Sequence, residues 1–174
     1  DEEVGTEGST HFLEHLMFKG TDTRSASDIS ALGDFLGGTL NAATSRKYTV
    51  YYGRVFESDV PQLLDLLVDM IVRSKLERED MELARQVILE ELSASDDDVP
   101  TVAESEILKL VMGDHPHARP IGGTHETVLG LEHRHIIDNY RTNYHPGELV
   151  VTAAGAVNHG ELTVMISSLL EAAG

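Results

Sequence analysis

A chain of 174 residues carries 30 acidic against 13 basic side chains, a net charge of −17, on an otherwise ordinary globular composition of 41% hydrophobic and 25% charged residues. That balance argues against nucleic acid, which needs a basic footprint, and against anionic membrane surfaces as partners. No apolar run nears the ~18 residues of a membrane span, and the absence of cysteine rules out disulfides and thiolate metal sites and fits a reducing, cytoplasmic compartment.

Length predicts about one domain, over 1–174. The chain opens abruptly on Asp1-Glu2-Glu3 and closes on Glu171-Ala172-Ala173-Gly174 after a helical pattern, so both ends are expected to be truncated. Gly8-Ser9-Thr10 reads as a cap for a first helix that should stop near Gly20. Ser25 or Ser27 caps a second, carrying Ile29, Leu32, Phe35 and Leu36 and closed by Gly37-Gly38. Two strand-like runs follow, Thr39 to Ala43 and Tyr48 to Val55, joined by a turn at Ser45-Arg46-Lys47.

Ser58 and Pro61 announce a helix with Leu63, Leu64, Leu66, Leu67, Met70 and Ile71 on its apolar face, ending near Lys75. Glu79 to Ser93 is another, with Val87, Ile88 and Leu92 inward. Asp96-Asp97-Asp98 and Pro100 break it and open a helix to Gly113. His115 to Gly123 reads as loop, a helical pattern resumes around Ile136, Ile137 and Tyr140, Leu149 to Val157 predicts a third strand, and Glu161 to Ala173 a last amphipathic helix. Without the βαβ cadence of a parallel sheet, the expected class is α+β, an antiparallel sheet flanked by helices.

The chemistry concentrates in Thr10 to Thr21, THFLEHLMFKGT. On a helix at about 100° per residue, Glu14 lies roughly 60° to one side of His11 and His15 roughly 40° to the other. Two imidazoles and a carboxylate therefore share one face, while Phe12, Leu13, Leu16, Met17 and Phe18 carry that helix into a core. Two histidines at i and i+4 can chelate Zn²⁺, and the acid between them can take a proton from an activated water; the pattern is the H-x-x-E-H inverzincin signature. A catalytic zinc wants a third protein ligand. Glu14 cannot be both ligand and base, so the third comes from one of the other seven histidines or from a carboxylate on another helix. A polar patch on a half-buried helix is the bland reading of the pentapeptide alone.

Five ordered segments decide between them: HFLEHLMFKGT, GGTLNAATSRKYTVYY, RQVILEEL, GDHPHARPIGGT and YHPGELVVTAAGAV. In that order, from about Gly5 to Leu170, the chain resembles the pitrilysin-like zinc peptidases, most closely bacterial proteins similar to the β subunit of mitochondrial processing peptidase, with insulin-degrading enzyme a more distant relative. The resemblance implies a zinc endopeptidase acting on extended peptides or unfolded protein. Its ligands would be His11, His15 and Glu91 and its general base Glu14. Asn41, Ala42 and Ala43 would lie on a strand that pairs with substrate by β-augmentation.

The resemblance also implies a clamshell of homologous halves, so a dimer or a second half-domain as partner, and the mitochondrial matrix as compartment for a eukaryotic member. Basic residues near the cut would meet acidic side chains, with Asp96 to Asp98, Glu104 and Glu106 as candidates; a solvated helix start is the competing reading. One departure stands out: the family usually carries a further glutamate two turns before the ligand, where this chain has Ala84. The alternative function is a non-catalytic core subunit of the same family. Of the remaining histidines, His115 with His117, or His133 with His135, could chelate a rival metal loosely, but the two-residue spacing around Pro116 reads as turn chemistry; His125, His145 and His159 read as caps or surface residues.

Overall fold

The computed structural model describes residues 2–173. Helices α1 (Ser9–Leu16) and α2 (Ala26–Phe35) precede a hairpin of β1 (Thr39–Thr44) and β2 (Thr49–Arg54). Then come helices α3 (Val60–Val72), α4 (Arg78–Asp97), α5 (Val99–Met112), α6 (His125–Gly130), α7 (His133–Asn143) and α8 (His159–Ala173). The class is the expected α+β, with a smaller sheet. Among the described residues the one sheet is β1 paired with β2. The run 149–157 joins no ladder, and Val150 and Val151 are 88% and 49% exposed. β-branched residues favour extended backbone, but a strand needs a neighbour to satisfy its N–H and C=O groups.

The chain forms two compact units. The first comprises the chain up to Leu16, Ala43–Thr49 and Glu77–Tyr140. Here α1 packs on α4, and α4 on α5 and α6. Phe12, Leu13 and Leu16 of α1 and Met81, Ala84 and Ile88 of α4 are buried, as are Val128, Leu131 and Ile136; each large apolar side chain so buried contributes about 1.5–3 kcal/mol. Arg85 ties the layers together. Its guanidinium lies 5.5 Å from the Phe12 ring centroid and donates to the carbonyls of Val128 and Leu131.

The cap of α1 is not the local one expected. Glu2 reaches over from upstream: its carboxylate accepts from the N–H of Gly8 at 2.9 Å and of Thr10 at 2.7 Å, and from the Ser9 hydroxyl at 3.1 Å. A carboxylate there satisfies free N–H groups and complements the helix dipole. Gly8 has φ +92°, and a Cβ on it would stand 2.5 Å from the Gly122 carbonyl oxygen, so the loop at Gly122 closes onto the helix start only because Gly8 has no side chain. The helix ends at Leu16 and not near Gly20.

In α4, Val87 is 43% exposed, against the inward position expected, so the buried stripe is narrower than the apolar pattern. The helix runs four residues beyond Ser93, to Asp97. Asp98 then caps α5, accepting from the Thr101 N–H at 3.1 Å ahead of Pro100. Helix α6, within a stretch left without an assigned element, starts on a capping box between Thr124 and Thr127.

The second unit comprises Met17–Ala42, Val50–Leu76 and the chain from Arg141 on. Ser25 and Asp28 form a capping box at the start of α2, which buries Ile29 and leaves Phe35 76% exposed. Leu63, Leu66 and Met70 turn inward from α3, which packs on α8. Among them sits Asp69, 1% exposed. It accepts from the hydroxyls of Thr21 and Thr23 at 2.6 and 2.8 Å and from Arg24 Nη1 at 2.6 Å, with Arg73 Nη1 at 3.5 Å.

Candidate metal centre

One helical turn of α1 stacks His11 and His15, their rings nearly perpendicular at 89° with centroids 4.8 Å apart and their Nε2 atoms 3.3 Å apart. From α4, packed alongside, Glu91 brings Oε2 to 3.3 Å from His15 Nε2 and 3.6 Å from His11 Nε2. Two nitrogen lone pairs and a carboxylate oxygen at such spacings repel one another unless a cation or a proton sits among them. A tetrahedral zinc with bonds of about 2.0–2.1 Å spaces its ligand atoms about 3.3–3.4 Å apart. The residues present therefore fit the group.

The two imidazoles are about one-fifth exposed, whereas the Glu91 side chain is 48% exposed, so the cluster is walled on the α1 side and open on the side of α4. Burial, and after it the neighbouring His15 ring, push His11 below the ordinary imidazole range, against the opposing pull of Glu91, Glu14 and Glu2. A neutral ring is the form that offers Nε2 to a metal. His11 Nδ1 is buried without a hydrogen-bond partner among the described residues.

Glu14 sits on α1 between the two histidines. Its Oε2 accepts the hydroxyl of Thr44, the last residue of β1. Of the strand residues implied to face substrate, Asn41 and Ala43 are exposed and Ala42 is buried, with the Ala42 N–H donating to Asn41 Oδ1 at 2.9 Å. Among the described residues β1 has no neighbour besides β2.

No other group of three or more histidine, cysteine or acidic donors among the described residues converges this way. His115 Nδ1 accepts the His117 N–H at 3.1 Å, and His135 Nδ1 accepts that of Glu132 at 3.1 Å, so both behave as turn or cap groups. His125 places Nε2 3.2 Å from Ser93 Oγ and Nδ1 3.7 Å from Asp96 Oδ2. Asp96 and Asp98, two of the acids considered for a basic specificity pocket, thus have local partners.

Sequence reading missed Thr44 and Glu2. Thr44 stands in the motif-bearing run GGTLNAATSRKYTVYY but nothing local marks its hydroxyl. Glu2 carries no signal beyond being an acid upstream of a helix start.

The profile of the insulinase family, peptidase family M16, matches residues 1–125. An uncharacterised zinc protease of Streptomyces coelicolor is 40% identical over all 174 residues, which cover 38% of its length. The probable β subunit of the Arabidopsis thaliana mitochondrial processing peptidase is 35% identical over 164 residues, 94% of this chain and 31% of that one. The crystal structure of a Helicobacter pylori protease superposes with a TM-score of 0.94 at 24% identity, covering 99% of this chain and 42% of that one. The chain spans under two-fifths of the length of these curated relatives. With the profile covering well over half of its residues and the fold shared, the chain belongs to the M16 peptidase family.

Proposed function

We propose that the chain forms the catalytic part of a zinc-dependent endopeptidase that hydrolyses extended peptides, with His11, His15 and Glu91 holding the metal and Glu14 as general base. The observation that carries this reading is the convergence of three donor atoms from two helices at 3.3–3.6 Å, with a further carboxylate one residue before His15. When bound there, Zn²⁺ supplies Lewis acidity, lowering the pKa of a water towards ~7 and polarising a scissile carbonyl.

The chain's own groups do the rest. His11 and His15 present neutral Nε2 atoms from a buried helix, while Glu91 contributes one negative charge from the open side. Glu14 takes the proton from the attacking water and returns it to the leaving amine. The edge of β1 away from β2, with Asn41, Ala42 and Ala43, aligns substrate backbone by strand addition. A second homologous half, or a second subunit, completes the cleft.

Metal analysis by mass spectrometry and a quenched-fluorescence peptide assay test the assignment together. Wild type binds one zinc; His11→Ala and Glu91→Ala lose both zinc and cleavage. Glu14→Gln retains zinc while kcat falls roughly 10²–10⁴-fold, the usual worth of a positioned proton-transfer group. Cleavage by Glu14→Gln at the wild-type rate would refute the base. With the second half or subunit supplied, zinc binding without cleavage by any variant, wild type included, would favour the assembly-subunit reading.

A further inference from the structure

Glu14 is held by more than its own helix. The Thr44 hydroxyl donates to Glu14 Oε2, and Thr49, the first residue of β2, stands with Oγ1 3.3 Å from Thr44 Oγ1. These two threonines flank a tight turn in which the Ser45 N–H donates to the Tyr48 carbonyl at 2.8 Å. The turn is itself anchored: Arg46 Nη1 donates to the His117 carbonyl at 2.8 Å and to that of Arg119. Thr44 is half-buried and β-branched, so its side chain has little rotamer freedom.

A hydroxyl has one proton to give. With that of Thr44 committed to the carboxylate, the contact between the threonines requires Thr49 to donate, which sets a direction from Thr49 to Thr44 to Glu14, each bond polarising the next. We infer that Thr44 is the positioning residue of the general base. It fixes Glu14 through Oε2 so that Oε1 is the oxygen presented for proton transfer, and Thr49 orders the Thr44 hydroxyl. This assignment rests on Glu14 acting as the base.

Four zinc-loaded variants test it against wild type. Thr44→Val, which keeps shape and loses the hydroxyl, lowers kcat roughly 10- to 100-fold, the rate equivalent of one hydrogen bond to a charged group. KM and zinc content stay unchanged. Thr44→Ser restores most of the rate, Thr49→Val shows a smaller loss than Thr44→Val, and Glu14→Gln sets the floor.

A second readout needs no turnover. In a thermal-unfolding cycle of Thr44→Val, Glu14→Ala and the double variant, the two losses in Tm are less than additive. Wild-type kcat in Thr44→Val, a change in KM alone, a Thr44→Ser as impaired as Thr44→Val, or additive Tm losses would each overturn the assignment while leaving Glu14 as the base. With the second half supplied, an inactive wild type with its zinc in place would instead favour the assembly-subunit reading and remove base and positioning together.

Discussion

At position 84 an alanine stands where the family resemblance implies a glutamate. Seven residues before Glu91 is about 700° of rotation, within roughly 20° of two full turns, so both positions share a face of α4. Ala84 is fully buried, alongside Met81 and Ile88. A carboxylate there would support the ligand set, and losing such support typically costs roughly 10–100-fold in metal affinity. Ala84→Glu is therefore expected to tighten zinc binding by about tenfold or more. It should also destabilise the zinc-free protein, because a buried carboxylate without a partner is costly. A competition titration with a chromophoric chelator, paired with unfolding curves with and without zinc, checks both effects; unchanged affinity would remove the argument. At this scale the sequence was most informative within a single turn. His11, Glu14 and His15 are legible because helical geometry alone brings them together. Glu91 could be selected only through the family pattern, since its approach depends on how α4 packs on α1. Thr44 reaches Glu14 across 30 residues of chain, a contact that no local pattern encodes.

Elements were read well where periodicity or capping chemistry is strong and poorly where a long-range contact decides. A cap at Ser25 or Ser27 and the Pro-led start of α3 were visible; the Thr124 box, whose third position is Thr127, was not. The run 149–157 has the composition of a strand and no ladder within the described residues. Asp69 is the instructive omission, a polar residue on the buried stripe of α3 that pattern alone would place outside. Desolvation drives its carboxyl up, but the hydroxyls of Thr21 and Thr23 and the Arg24 guanidinium together hold it below the ordinary carboxylate range. The folded pKa thus lies below the unfolded one near ~3.9. On acidification the unfolded state takes up the proton first. The stabilisation is therefore fully present above ~4 and is lost as pH falls through the folded value. Asp69→Asn is expected to cost about 3 kcal/mol at pH 7, the order seen when one member of a buried ion pair is removed. Urea unfolding from pH 7 to 3 should show the difference between wild type and variant closing at the acid end. A difference independent of pH would mean that packing, and not the charge of Asp69, sustains the site.

For the whole molecule, the consequence of a metal held by α1 and α4 is a stability increment that depends on zinc concentration and has an address. Both helices belong to the first compact unit, as do Thr44 and Glu14, whereas Asp69 and its partners belong wholly to the second. A ligand that binds only the folded state stabilises by mass action, by about 2.7 kcal/mol at a hundredfold excess over its Kd. Native-state hydrogen exchange can locate that increment, because amides open in cooperative units with their own free energies. Adding zinc should slow exchange in α1 and α4, with the amides of α3 and α8 unchanged. A chelator should reverse it, and Glu91→Ala should abolish it. Equal slowing in α3 and α8 would show that the two units open as one cooperative body. No slowing in α1, with zinc bound by mass spectrometry, would mean that the metal is held elsewhere than between the two histidines and Glu91.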